Sequence, residues 1–503
     1  MAFLPLVAFI VALAMGSIGA HASSAVSTAS TNMLKSNTMA LTTPYSCVCN
    51  YSNATDYFPI KLSPMYASNF NISYEKSYKL ITTRAGGVTH TYAAYLCGTP
   101  VPVNVPVGTL TVEIPIKTVG LTSTTYLPYV DYLSERTSIK WVNQVPNTMN
   151  SCMRKLYDEG QLLDDTVSLG GSYYGISPQD ATNITNTSGP LSAFLYGKYD
   201  DPNYPSILMG DFGKVTTPIL MGETDESTSR GVFEWMYVVA ALFNQEESAQ
   251  TVANNVFARY NCNSGLAKAV VTTNPPKVLW GSFYNGQFTG PVCPGWECTI
   301  VTNAGATLVD TSSIANANVS IFVSNANVQS ATVWIYNDFN WNFTSYYGNL
   351  PIYNGTNTAL FNTLNVVKNA SVFDFLGRFF EELFDNVKAE PDVLLLDVIQ
   401  AAWGDSTVIK DARKRVFLRN VFSEPAVPFT PQLGSSCSNP SAPLYTDWLS
   451  GPCSTSGPPV NISYTPLVLC APSPIPSGGA LSTASLLSVA IVFVTALMGL
   501  LSG

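Results

Sequence analysis

The sequence predicts an α/β protein with two halves and one long helix between them. In the first half, an apolar run over residues 112–121 is followed by a hydroxyl-rich turn over 122–125 and a helical pattern over 126–133. This order describes a β-α unit whose turn lies at the carboxyl end of the strand. Open α/β sheets collect their ligands at such ends, so this turn is a candidate binding element.

The long helix is predicted over residues 231–260. Ser229 has the side chain of an N-cap, and the apolar stripe of the helix consists of Val232, Met236, Val239 and Phe243. The second half begins after Pro275-Pro276. Its predicted strands are 278–280 and 331–336, and 393–398 is a third apolar run.

Both ends of the chain carry short apolar segments with the features of processing signals. Residues 3–15 are apolar and precede Ala20-His21-Ala22, which predicts a signal peptide over 1–22. Residues 486–501 would span about 24 Å as a helix, less than the hydrocarbon core of about 30 Å, and no basic residue follows them.

Ser477-Gly478-Gly479 precede this tail, and the combination predicts a GPI-attachment signal over 478–503 with Ser477 as the attachment residue. A true membrane helix is the alternative. The protein is therefore expected on the extracellular face of the plasma membrane, to which it is held by a lipid anchor.

The composition is poor in charge, with 11% charged residues and a formal net charge of −9. Such an acidic chain is not expected to bind nucleic acid. Glycans are expected to keep the surface soluble. Glycosylation sequons occur at Asn50, Asn53, Asn71, Asn183, Asn186, Asn318, Asn342, Asn354, Asn369 and Asn461.

The ten cysteines all follow the predicted signal peptide, and an even number in a secreted chain predicts disulfides. Cys293 and Cys298 could close a local loop around Trp296. A zinc site is the alternative, although His90 is the single histidine after the signal peptide. The shortage of histidine and the lack of nucleophile, P-loop and dinucleotide motifs argue against an enzyme. A carboxylate pair for glycoside hydrolysis stays open, because any two could meet in space.

Strand-forming residues flank Gly86-Gly87 and predict a β-hairpin there. In chain order, the predicted segments are the signal peptide 1–22, a disordered leader 23–44, an N-terminal α/β lobe 45–228, the interlobe helix 229–262, a C-terminal α/β lobe 263–424, a Pro/Ser/Cys-rich stalk 425–477 and the GPI-attachment signal 478–503.

The segment Phe233–Glu246 (FEWMYVVAALFNQE) resembles the "EWI-x-F-x-A-x-FFN-x-E" helix of class III substrate-binding proteins, the iron-siderophore and cobalamin type of periplasmic binding domain. Shorter resemblances occur, in the order of that family, at 114–133, 277–286, 303–306, 364–369 and 391–393. The resemblance implies a non-enzymatic protein with two Rossmann-like α/β lobes, a long rigid helix that joins them and a ligand cleft between them. Related eukaryotic chains include the secreted cobalamin acquisition proteins of algae.

In the layout of this family, turns at the strand ends line the cleft. The candidate ligand-binding residues are Thr124, Thr125, Tyr126, Tyr173, Tyr174 and Glu223 in the first lobe, and Ser282, Tyr284, Trp296, Asp338 and Trp341 in the second. These turns combine aromatic rings and hydroxyl groups with few charges. That combination suits a large, planar, partly apolar ligand such as a corrin or a haem.

The predicted ligand is cobalamin, and no catalytic cofactor is expected. Iron is the first alternative, as haem, as a ferric siderophore, or as a ferric ion held by phenolate and carboxylate oxygens of residues such as Tyr126 and Asp338. The scarcity of basic residues argues against a strongly anionic siderophore. A cell-surface adhesin or coat glycoprotein is the alternative of a different class. The expected partners are a small molecule, the membrane and an uptake receptor or transporter of unknown identity.

Overall fold

The computed structural model describes residues 47–164 except 144, 146, 147 and 149, and then 191–200, 217–270, 274–337, 357–377, 385–404, 415–424, 437–440 and 453. The predicted signal peptide, leader and GPI signal lie outside these residues, as do Tyr173, Tyr174, Asp338 and Trp341. In the described part of the chain, no helix has the length and apolar character needed to cross a membrane.

The described chain begins with a four-stranded sheet that the sequence predicts in part. Its strands, in spatial order, are β1 (Phe70–Tyr74), β2 (Tyr78–Ala85), β3 (Val88–Leu96) and β4 (Leu110–Ile114). The first three run antiparallel, and β4 runs parallel to β3. The hairpin predicted at Gly86-Gly87 is confirmed, and both glycines have a positive φ, 56° and 82°, that residues with a side chain rarely adopt.

The first parallel sheet contains β5 (Val119–Leu121), β6 (Ile139–Val142), β7 (Ala193–Gly197) and β8 (Thr217–Met221), in the spatial order β6-β5-β7-β8. The apolar run over 112–121 is therefore not one strand, because it divides between β4 and β5. Pro115 follows β4 and has no N–H to continue a ladder. The described helical elements of this lobe are a 3-10 turn (Thr124–Tyr126), α1 (Leu127–Asp131), a second 3-10 turn (Arg136–Ser138) and α2 (Ser151–Asp158).

The connection between the lobes consists of three helices, and the predicted single long rigid helix is wrong. A 3-10 turn (Glu223–Asp225) is followed by α3 (Ser229–Glu234), α4 (Met236–Phe243) and α5 (Glu246–Ala269). Asn244 ends α4 in the left-handed conformation, with φ 57° and ψ 43°, and its side-chain oxygen accepts a hydrogen bond from Lys79 Nζ at 2.9 Å. The N-cap of α3 is Thr228 rather than Ser229, because Thr228 Oγ1 accepts from the Gly231 N–H.

The second lobe contains a mainly parallel sheet and a hairpin. Its strands are β9 (Lys277–Trp280), β10 (Ser282–Tyr284), β11 (Gln287–Thr289), β12 (Thr307–Leu308), β13 (Val333–Tyr336), β14 (Val372–Asp374) and β15 (Arg419–Asn420). β10 and β11 form the hairpin, and the others form one sheet in the order β12-β9-β13-β14-β15, in which β15 alone is antiparallel. The strands predicted at 278–280 and 331–336 are confirmed.

Among the residues that the structure describes, the helices of the second lobe are α6 (Trp296–Asn303), α7 (Val319–Ser324), α8 (Ala326–Gln329), α9 (Thr358–Phe361), α10 (Asn365–Lys368), α11 (Asn386–Ala389) and α12 (Pro391–Trp403), with a 3-10 turn at Ser312–Ile314. The third apolar run, 393–398, belongs to α12 and is buried along its whole length. An apolar run of this length fits a buried helix as well as a buried strand, so its pattern could not separate the two.

Helices cover both faces of the second-lobe sheet, and the strand side chains alternate between two cores. Val278, Trp280 and Ile335 belong to the core that includes α6 and α12, whereas Leu279 and Trp334 belong to the core that includes α7. This alternation is the period of two that a strand imposes. The lobe is therefore an α/β layer structure, as the sequence predicts.

Disulfides join described cysteines within and between parts of the chain. Cys293–Cys298 confirms the predicted local loop around Trp296. Cys152–Cys437 and Cys262–Cys453 attach two cysteines of the predicted stalk to α2 and α5. Cysteines bonded in this way have no thiolate to offer zinc. The described sequon asparagines are all exposed, namely Asn50, Asn53, Asn71, Asn318 and Asn369.

Two buried carboxylates on helices each hold a non-helical segment of the chain by hydrogen bonds to its backbone. Glu234 in α3 accepts hydrogen bonds from the backbone N–H groups of residues 65–67, at 2.7–3.1 Å. Asp397 in α12 accepts from the N–H groups of residues 416–418, at 2.6–3.1 Å. Both carboxylates are fully buried. Their lone pairs are thus satisfied by three consecutive peptide groups in each case.

A buried ion pair fixes the N-terminal sheet against the connecting helices. Lys79 of β2 is fully buried, and its Nζ lies 2.5 Å from Glu246 Oε1 at the start of α5. The same ammonium donates to the Ala241 carbonyl at 2.8 Å. Glu234 and Glu246 both belong to the segment that resembles the binding-protein helix, and both pair with groups of the protein itself.

Candidate functional site

The carboxyl ends of β5, β7 and β8 place Thr122, Asp200 and Glu223 at one edge of the first parallel sheet. Asp200 is tied into this edge, since its Oδ2 accepts hydrogen bonds from Thr122 Oγ1 and from the Gly197 N–H, both at 2.6 Å. Burial raises the pKa of Asp200. The sheet therefore positions a carboxyl group at the end where open α/β sheets bind ligands.

The predicted residues Thr124, Thr125 and Tyr126 form the 3-10 turn after β5. Tyr126 is buried, and its hydroxyl lies so close to Gly197 that a Cβ there would come within 2.5 Å of it. Burial raises the pKa of Tyr126 well above its usual value, and the carboxyl groups of Glu223 and Asp200 add to the rise. Tyr126 is therefore a neutral phenol that lies beside the carboxyl groups of Asp200 and Glu223 at the edge of the sheet.

Glu223 is the least satisfied group at this edge. Its side chain is 2% exposed, and its Oε2 is buried with no hydrogen-bond partner among the described residues. Burial raises the pKa of Glu223 to about 7, the ammonium of Lys388 opposes the rise, and Asp200 and Asp225 add to it. Asp225 is itself paired with Lys198. The carboxyl group of Glu223 is therefore protonated much more readily than that of an ordinary glutamate.

Lys388 comes from the second lobe, where it lies on α11. This short helix packs against α1 and α3. Two hydrogen bonds hold it there: Tyr132 Oη donates to the Ala389 carbonyl at 3.2 Å, and Thr148 Oγ1 donates to Asp385 Oδ2 at 3.1 Å. The two lobes are therefore in direct contact beside Glu223.

A second carboxyl group shares Lys388. Glu297 is the second residue of α6 and lies inside the loop that the Cys293–Cys298 disulfide closes. Burial raises the pKa of Glu297, and Lys388 opposes the rise. Lys388 thus acts on one carboxyl group in each lobe. Glu297 and Lys388 were not among the residues predicted from the sequence, and the one available signal was the position of Glu297 next to Trp296.

The corresponding edge of the second-lobe sheet carries Ser282 and Asn337. The register pairs Trp280 with Ile335, so Ser282 and Asn337 each lie two residues beyond that pair. Ser282 is fully buried, and neither Ser282 Oγ nor Asn337 Oδ1 has a hydrogen-bond partner in the described chain. The ring of Trp296 packs edge-on against Trp280, with ring centroids 5.8 Å apart.

The structure brings four predicted residues to the first-lobe edge, namely Thr124, Thr125, Tyr126 and Glu223. Ser282 and Trp296 lie in the second lobe, and Tyr284 stands on the β10–β11 hairpin with 56% of its surface exposed. Contact between any of these residues and a ligand stays a prediction. Within the described ranges, no group of three or more His, Cys, Asp or Glu residues could hold a metal ion.

The fold is mixed α/β, with two separate, mainly parallel sheets and helices packed around them. No protein-family model matches the sequence, and no curated protein matches it. Among solved structures, the chain is similar to the siderophore-binding protein BauB, solved with acinetobactin and ferric iron, at 14% identity and a TM-score of 0.42, over 65% of this chain and 100% of that one.

Two proteins of Vibrio cholerae show the same degree of similarity. The periplasmic heme-binding protein HutB matches at 11% identity and a TM-score of 0.41, over 56% of this chain and 98% of that one. The periplasmic vitamin B12-binding protein BtuF matches at 9% identity and a TM-score of 0.39, over 57% and 97%. At these values, no residue's role carries over from those proteins.

Proposed function

We propose that this protein is a non-enzymatic, cell-surface binding protein that captures a small-molecule micronutrient for uptake, with cobalamin as the ligand. The main support is the set of buried polar atoms without partners in the described chain, which lie at the carboxyl edges of both parallel sheets: Glu223 Oε2, Ser282 Oγ and Asn337 Oδ1. Buried polar atoms are normally hydrogen-bonded. A ligand bound at the strand ends would supply the missing partners.

The chemistry of these atoms favours a ligand rich in hydrogen-bond donors. The amide oxygen Asn337 Oδ1 is an acceptor, and so is Glu223 Oε2 when Glu223 is ionised. The partner that these two atoms lack is therefore a hydrogen-bond donor. Primary amides around a corrin ring are donors of this kind. The carboxyl groups of Glu223 and Glu297 oppose an anionic ligand, and Trp296 adds aromatic surface for a planar one.

Iron is the second candidate, and a specific cluster favours it. Tyr126, Asp200 and Glu223 place a phenol and two carboxyl groups close enough to influence one another's protonation. Oxygen atoms of these types bind ferric ion. An adhesin or coat glycoprotein is the candidate of a different class, and the exposure of the described sequon asparagines is compatible with it.

Calorimetry on the full chain tests the ligand. The protein is expressed through the secretory pathway of a eukaryotic host and purified in mild detergent, so that Cys437 and Cys453 keep their bonds to the body. Cyanocobalamin is expected to bind with a nanomolar Kd, about −12 kcal/mol. Saturable binding of hemin or of a ferric siderophore, without binding of cyanocobalamin, would move the assignment to iron. No binding of any of them would remove the uptake function and favour the adhesin.

The lipid anchor at Ser477 is a separate part of the proposal. It is supported by the short apolar tail and the small residues before it. Phosphatidylinositol-specific phospholipase C is expected to release the protein from intact cells. If the protein is retained and an epitope placed after Leu501 survives, the tail is a membrane helix instead.

A further inference from the structure

Five titratable groups of the described chain face Glu223 from the elements around it. They are Tyr126 of the first 3-10 turn, Tyr129 of α1, Asp200 after β7, Asp225 of the same turn as Glu223, and Lys388 of α11. Lys388 is the one cation in this group. Its charge also acts on Glu297 of α6, so one ammonium serves two carboxyl groups.

This arrangement leaves ionised Glu223 under-compensated. Its Oε2 is buried and accepts no hydrogen bond from the described residues, and a shared ammonium offsets only part of the cost of desolvation. A proton on the carboxyl group removes that cost, which agrees with the raised pKa of Glu223. A ligand group that donates a hydrogen bond or carries a positive charge would offset the same desolvation cost of ionised Glu223.

We propose that Glu223 receives an N–H donor or a cationic group of the ligand, and that this group takes the place of the Glu223 proton on binding. The proton passes to the solvent buffer, and the carboxylate that remains pairs with the ligand. Acid reverses the exchange and weakens binding. The inference rests on the proposed function and narrows its ligand class to donor-rich or cationic molecules.

The experiment is calorimetric titration of the full chain with cyanocobalamin at pH 6, 7 and 8, in buffers with different heats of ionisation. If Glu223 titrates near pH 7, Kd is expected to be about tenfold weaker at pH 6 than at pH 8, with close to one proton released per ligand at pH 6. Glu223→Gln is expected to abolish both the pH dependence and the proton release. The matched control is Glu247→Gln, an exposed glutamate on α5, which is expected to keep both.

Lys388→Met is a second variant. It tests whether the pH dependence of binding comes from Glu223 if Glu223→Gln does not fold. Loss of the ammonium raises the pKa of Glu223 further, so the pH midpoint of binding is expected to move upward. Equal Kd values at pH 6 and 8, or a pH dependence that survives Glu223→Gln, would overturn the inference and leave the proposed function intact. No binding of cyanocobalamin at any pH would overturn the cobalamin assignment itself, and this inference with it.

Discussion

Two kinds of buried carboxyl group in this molecule differ in how fully they are paired. Asp397 and Glu234 each accept backbone N–H groups from three consecutive residues. Glu223 is also buried, yet its Oε2 has no partner among the described residues. A buried carboxylate without donors is costly. The paired carboxylates therefore stabilise the fold, whereas a partner from outside the chain is expected at Glu223.

The largest effect is expected where the pairing is complete. Asp397→Ala leaves two buried N–H groups and one part-buried N–H group without their acceptor, and we expect a loss of about 3–5 kcal/mol in the free energy of unfolding. Urea unfolding followed by tryptophan fluorescence measures it. Asp158→Ala is the control, because the Asp158–Arg154 pair is on the surface and should matter little. If the two variants are equally stable, the hydrogen bonds between Asp397 and residues 416–418 contribute nothing to the stability of the fold.

The buried ion pair extends the comparison to a carboxylate paired with a cation. Lys79→Met leaves Glu246 buried without its ammonium, and a loss of about 3 kcal/mol is expected. The double variant Lys79→Met/Glu246→Leu should recover much of that loss, because it removes both charges. Thermal unfolding of the single and double variants gives the coupling. Losses that simply add would show that the two side chains act independently.

Glu223 should behave in the opposite way. Its pKa is raised from 4.5 to about 7, so the folded protein binds this proton more tightly than the unfolded chain does. The stabilisation is present below pH 4.5 and is lost as pH rises through 7, up to about 3 kcal/mol in total at 1.36 kcal/mol per pH unit. Glu223→Gln is therefore expected to be more stable than the wild type at pH 8 and similar to it at pH 5. A less stable variant at pH 8 would mean that ionised Glu223 is well paired.

The smallest effect on stability is expected at the loop that holds Glu297. The Cys293–Cys298 disulfide closes a short loop, so Cys293→Ala/Cys298→Ala should cost no more than about 2 kcal/mol. Binding of cyanocobalamin is expected to weaken about tenfold, since Trp296 and Glu297 lose their fixed position. Val292→Ala, an exposed neighbour, is the control. Unchanged affinity in the double variant would remove this loop from the site.

The sequence predicted the features that depend on local chemistry. The Gly86-Gly87 hairpin, the strand at 331–336 and the Cys293–Cys298 loop follow from turn residues, β-forming residues and spacing, and all are confirmed. The predicted apolar stripe ends at Phe243, but the break at Asn244 was missed because the side chain that stabilises it, Lys79, is distant in sequence.

At the candidate site, too, the sequence predicted local features and not those that depend on residues distant in the chain. Glu223 was predicted because it follows a strand, which is a local property. Its unusual protonation depends on Lys388 and on burial between elements that fold together from distant parts of the chain. The role of Glu234 was hidden for the same reason, since its partners are peptide groups of residues 65–67 and carry no side-chain signature.

The Cys262–Cys453 disulfide determines how the molecule would bear a mechanical load. A pull on the chain that follows residue 453 reaches α5 through this bond, without first passing along the polypeptide between 263 and 452. Cys152–Cys437 adds a second covalent route, into α2 of the first lobe. Tension at the C-terminal end is therefore carried by the connecting helices and the first lobe. The sheet of the second lobe, with Ser282 and Asn337 at its edge, is shielded from it.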